Sequence, residues 1–170
     1  MTEGEGDHTG TMTNVENVPE VRVVSAAREV HATPATIFEL IADPSRHASW
    51  DGNENVASAS EHQRVTRAGD VFRATLTTGA VRENHVVEFE EGRRIAWQPA
   101  EPGKEPPGHL WRWELEPLDA ERTLVRHTYD WTALNDPNRF ARARATTSER
   151  LMASVERLCA LAEREASDPA

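Results

Sequence analysis

Two helix starts lie ten residues apart in Ala32–Trp50, ATPATIFELIADPSRHASW, and they constrain the fold more than any other feature. Thr33-Pro34 and Asp43-Pro44 each set a capping side chain before a proline at the first helical position. There the missing N–H is an orphan in any case, and φ is already fixed for a helix. The acid that completes a capping box is absent from both, since Thr36 and Arg46 stand three residues on. Ahead of them, valines at 21, 23, 24 and 30 make Glu20–Ala32 strand-like. Pro34–Ala42 then carries Ile37, Leu40 and Ile41 at helical spacing, and a second short helix runs from Pro44 to about Ser49 and ends on Trp50. A strand therefore leads directly into two short helices.

The next eighty residues alternate like strands between turn signals. Asn53–Ser60 is weak. Asp70–Thr78 sets Phe72, Ala74 and Leu76 against polar neighbours, and Arg82–Glu90 puts Glu83, His85, Val87 and Phe89 on one face. Glu91-Gly92 turns into Arg93–Pro99 with Ile95 and Trp97, and the Pro/Gly-rich Pro99–Gly108 reads as a surface loop. His109–Leu118 aligns Trp111, Trp113 and Leu115. After a turn at Asp119–Glu121, Arg122–Ala133 aligns Val125, His127, Tyr129 and Trp131. Asn135–Arg164 reads as one long helix capped by Asp136, its stripe running Phe140, Ala143, Thr147, Leu151, Val155, Leu158, Ala162.

Strands joined by short turns pair antiparallel, and one face of the sheet must be covered. Only the last helix is long enough, at about 1.5 Å per residue and so roughly 40 Å. The expected fold is α+β: a curved antiparallel sheet of six or seven strands around a long C-terminal helix. The two short helices after the first strand close one end and leave a hollow inside. Residues 1–18 are expected to form a disordered leader, 19–164 one ligand-binding domain, and 165–170 a frayed tail.

Composition narrows the partners. With 29 Asp+Glu against 19 Lys+Arg, the net charge of −10 disfavours nucleic acid and anionic membrane surfaces. Met1–Thr13 has neither a cationic n-region nor an apolar h-region, and no run approaches the roughly 20 apolar residues of a membrane span. A cytoplasmic monomer or homodimer is the expectation. The single Cys159 excludes an internal disulfide and reads as a small hydrophobe. No histidine pair has metal-ligand spacing, and there is no GxSxG, phosphate-binding glycine loop or dinucleotide fingerprint, so neither metal nor cofactor is expected.

The run VVSAAREVHATPATIFELIADPSRHASW resembles the opening of START-like, SRPBCC-type proteins of the polyketide cyclase/dehydrase and lipid-transport superfamily. Ala32, Pro34, Phe38, Ile41, Asp43, Pro44 and Trp50 carry the resemblance. WRWELEPLDAERTLVRHTYDW resembles that family's late hairpin through Leu115, Pro117 and Val125. The resemblance spans residues 20–163 and implies a helix-grip fold with a hydrophobic cavity. It sets an expectation of fold, while its members range over cyclases, carriers, receptors and chaperone-associated domains.

Alternation places Glu83 and His85, and His127 and Tyr129, beside the large apolar residues of their strands. His85 and His127 are candidate acid–base groups, and Tyr129 is a candidate donor to a carbonyl or enolate. The resemblance implies ring-closing chemistry for this trio, whereas a strand histidine is more often a hydrogen-bonded wall residue. Glu83, Phe72, Leu76, Trp97, Trp111, Trp113, Phe140, Thr147 and Leu151 are the candidate ligand contacts, with core packing as the plainer role for the tryptophans. Arg139, Arg142, Arg144 and Arg150 read as a solvated helix face, with Arg144 nearest a pocket mouth. The leading reading is a binder of a small hydrophobic molecule, lipid or polyketide-like. The alternatives are a cyclase/dehydratase and a protein-interaction module.

Overall fold

Both proline-led helix starts form where the sequence places them. In the computed structural model, which describes residues 20–167, α1 spans Pro34–Ala42 and the Thr33 hydroxyl accepts from Thr36 N at 3.4 Å. Asp43 accepts from Ser45 N at 3.1 Å and opens a single tight 3₁₀ turn, Pro44–Arg46, that continues into α2, His47–Trp50. α1 buries Ile37, Phe38, Leu40, Ile41 and Ala42. The four large side chains among these are each worth about 1.5–3 kcal/mol of burial.

Seven strands form one antiparallel sheet in the order β1-β7-β6-β5-β4-β3-β2, with β1 and β2 at its edges. They are β1 Val23–Val30, β2 Val56–Ser58, β3 Val71–Leu76, β4 Val81–Glu90, β5 Arg94–Ala100, β6 Leu110–Pro117 and β7 Thr123–Asp130. The curved sheet and the helices share one core, and the fold is the expected α+β helix-grip arrangement. The expected loop at Pro99–Gly108 begins later, because Pro99 and Ala100 still pair with Asn84 and Glu83 in β5.

Two expectations need correction. The last helix is not continuous. A 3₁₀ turn at Pro137–Arg139 leads into α3, Phe140–Arg144, and the chain restarts as α4, Ser148–Ser167. Thr147 supplies the physical reason. Its hydroxyl accepts from Arg150 N at 3.3 Å as the cap of α4, so a residue assigned to the apolar stripe starts a new helix just after the Ala145 cap of α3. Residues 165–167 continue α4; the rest of the expected tail, like the expected leader, lies outside the described residues.

The second correction is a phase error in β4. Pairing slips between Val86 and Glu88, so Val87 is the extra residue of a bulge opposite Trp97 and Ala96. Past the bulge Phe89 faces inward and meets Phe38 edge-on at 5.7 Å. Before it, the inward residues are Asn84 and Val86, both buried, while Val87 is exposed. A strict period of two counted back from Phe89 therefore assigns the wrong face to Glu83 and His85.

α4 is seated by a close approach. Gly52, just after α2, lies against the α4 backbone so tightly that a Cβ there would stand 2.4 Å from the Ala153 carbonyl carbon. Gly52 N donates to Ser154 Oγ at 3.0 Å, Asn53 Nδ2 to Arg150 O at 2.9 Å, and Arg157 to Asp51 O at 3.0 Å. These bonds fix the end of the hollow nearest α2.

Candidate functional site: an aromatic cavity under the last two helices

A cavity of ≈ 190 Å³ lies between the concave face of the sheet and the helices. That exceeds the roughly 150 Å³ that accepts a benzene ring in an apolar core. β3 contributes Phe72, Ala74 and Leu76, and β5 contributes Trp97. β6 and β7 contribute Trp111, Trp113, His127 and Tyr129, and α4 contributes Leu151 and Ser154.

Strand register builds the main wall. Trp113 stands opposite His127, and Trp111 opposite Tyr129. The His127 imidazole stacks on Trp113 at 3.8 Å and 13°, and on Trp111 at 5.5 Å and 15°. His127 Nδ1–H donates to the Arg112 carbonyl at 3.0 Å, so Nε2 keeps its lone pair. A second wall comes from α2. His47 stacks on Trp97 at 5.4 Å and 17°, with its Nε2–H donating to Ile41 O at 2.6 Å. Trp50 donates to Leu40 O at 2.8 Å and meets Trp113 edge-on at 5.2 Å.

The expected contacts divide cleanly. Phe72, Leu76, Trp97, Trp111, Trp113, Leu151, His127 and Tyr129 all border the cavity. Glu83, His85, Phe140 and Thr147 do not. Glu83 lies on the outer face, 3.6 Å from Arg73, and accepts from Gly103 N at 2.7 Å. His85 shares that face through the bulge described above. Phe140 packs on Trp131 at 5.7 Å under the Arg22 guanidinium, a separate aromatic cluster. Thr147 is exposed as a helix cap. The expected trio of His85, His127 and Tyr129 is therefore broken, because the sheet itself separates His85 from the other two.

Sequence reasoning missed His47, His109, Arg82, Asn84, Arg139 and Arg142, which all line the cavity. Two of these left a readable signal. His47 and Trp50 are three apart and share a helix face, and His109 has the same parity as Trp111 and Trp113. Arg139 and Arg142 correct the solvated-face reading: both line the cavity, from the turn and short helix that precede the break before α4. Arg144 instead pairs with Glu20.

Residues 21–163 match the family described as polyketide cyclase / dehydrase and lipid transport. The chain belongs to that family. It is 30% identical over 121 residues to an uncharacterized protein of Mycobacterium tuberculosis, covering 65% of this chain and 48% of that protein, so it spans about half that relative's length. An aromatase/cyclase from a Streptomyces species superposes with a TM-score of 0.62 at 20% identity, covering 85% of this chain and 94% of that one. A START superfamily protein from Mycobacterium smegmatis superposes at 0.59 with 17% identity, covering 84% and 98%. At such identities the two structures speak to fold alone.

Burial sets the protonation of the titratable rings that border this cavity. Burial lowers His127 to about 3, opposed by its bond to the Arg112 carbonyl. Burial also lowers His47 to about 4. His109 falls to about 4 through burial first and then the charges of Arg139, Arg142 and Arg82. Burial pushes the Tyr129 phenol up to about 12. At pH 7 all four are uncharged, and Tyr129 is a hydrogen-bond donor. Among the described residues, the buried side-chain nitrogens without a partner are His109 Nδ1 and Trp113 Nε1, and both residues border this cavity.

Proposed function

We propose that the protein binds a compact, flat, largely apolar molecule in this cavity. The observation that carries the reading is the aromatic lining: four indoles, three neutral imidazoles and Phe72 surround one space, several of them stacked on one another. Aromatic walls with a few convergent polar groups suit such a ligand. The interaction-module reading has less support. Among the described residues, the exposed large apolar side chains, Val21, Val23, Val71, Val87 and Leu118, sit on or beside β1, on β3 and β4, and at the β6–β7 turn.

Ring closure of a polyketide-like substrate is the second reading, favoured by Tyr129, whose hydroxyl can donate to a carbonyl. It lacks a base matched to neutral pH. His127 at about 3 is a weak one, and His85 faces the other way. Binding is therefore the reading adopted.

The test is titration with 2-naphthamide, followed by tryptophan emission and by calorimetry. Saturable quenching with one site per chain is expected, weakened at least tenfold by Ala74→Phe, which places a ring inside the cavity. Absence of saturable binding of both this amide and the corresponding carboxylate, 2-naphthoate, up to millimolar probe, with the wild-type protein folded, overturns the reading.

A further inference from the structure

The acidic chain gathers three of its 19 basic residues around one cavity. Arg82 comes from β4, while Arg139 and Arg142 come from the turn and short helix of 137–144. They come from distant parts of the chain, yet all three line the same cavity and act on His109, lowering its pKa. Their own charges are poorly matched. Among the described residues, Arg142 has no carboxylate within 4 Å, and the hydrogen bond of Arg82 goes to the neighbouring Val81 carbonyl at 3.1 Å. Arg139 alone has a partner, Asp136 at 3.2 Å. The charge of Glu101 also reaches Arg139 and Arg82, but its direct partner is Lys104 at 2.9 Å.

The acid lining the cavity cannot answer these charges. Asp51 is buried and fully engaged: Oδ1 accepts from Asn53 N at 3.1 Å, and Oδ2 from Asn55 N at 2.6 Å and Val56 N at 2.7 Å. Guanidinium groups turned toward a partly desolvated space are favourable when an anion meets them, and their planar forks match a carboxylate.

We infer that the ligand is an anion, a flat apolar body carrying a carboxylate-class group, with that group held at the opening by Arg82, Arg139 and Arg142. The rings then lie against Trp97, Trp111 and Trp113. This rests on the ligand-binding reading above and narrows it to a chemical class.

The experiment compares 2-naphthoate with 2-naphthamide, which share a shape and differ in charge. At pH 7.5 and 20 mM NaCl, naphthoate is expected to bind at least tenfold more tightly. Raising NaCl to 500 mM is expected to weaken naphthoate severalfold and to narrow the ratio. Arg142→Gln, at an exposed position where folding is not at issue, lowers the naphthoate/naphthamide ratio severalfold, and Arg82→Gln together with it brings the ratio near one. Equal affinities in the wild type, or a ratio unmoved by both substitutions, overturn the anion subsite and leave a cavity for uncharged ligands standing. Failure of both probes to bind removes the cavity reading, and the anion subsite with it.

Discussion

Acid sensitivity offers the sharpest test of how the cavity wall is built. His127 is clamped between Trp111 and Trp113 and titrates at about 3, against 6.5 for an unstructured histidine. The sign follows from proton uptake. Between these two values the unfolded chain binds a proton that the folded protein refuses, so stability falls as pH drops below 6.5 and the loss levels off near 3. From pH 7 to pH 4.5, this one group removes about 2.5 kcal/mol, a large part of a typical domain's margin of about 5–15 kcal/mol. His47, lowered to about 4 by burial, adds a loss of similar size over the same window. His127→Phe keeps a ring between the indoles and deletes the titration. The measurement is urea unfolding at half-unit steps from pH 7.0 to 4.5, followed by circular dichroism. The variant starts lower at pH 7, because the Arg112 carbonyl loses its partner, and then declines less steeply, recovering about 2.5 kcal/mol relative to wild type by pH 4.5. Parallel curves would refute the argument that the imidazole is held neutral by its burial.

Other consequences are local. Gly52→Ala forces a Cβ into the α4 backbone and should lower stability by about 2–3 kcal/mol by chemical denaturation; an unchanged midpoint would show that the loop does not seat the helix. Thr147→Ala removes the cap that restarts the helix and should cost about 1 kcal/mol, against no change if α3 and α4 were one helix. His85→Ala is expected to leave 2-naphthamide affinity within twofold of wild type, while Trp111→Ala lowers it at least tenfold; equal losses would put His85 back on the cavity side.

The local signals were legible because they act over a few residues. Thr33-Pro34 and Asp43-Pro44 specify helix starts with no help from the rest of the chain, and uninterrupted alternation in β3, β6 and β7 was enough to bring Phe72, Trp113, His127 and Tyr129 to one wall. The misreadings arose where pairing between distant segments overrides a local count. A one-residue bulge opposite Trp97 reverses the faces of β4, exchanging Glu83 and His85 for Arg82 and Asn84. A threonine cap breaks a stripe that looked continuous, and Arg139 and Arg142, ahead of the break, line the cavity.

By itself, then, the sequence determined the order of elements and most of the aromatic wall, since caps and period-two patterns are short-range properties of the chain. Tertiary structure alone decided which charges meet the cavity. Bulge position and the angle between two helices depend on hydrogen bonds made to partners that lie far away in the chain.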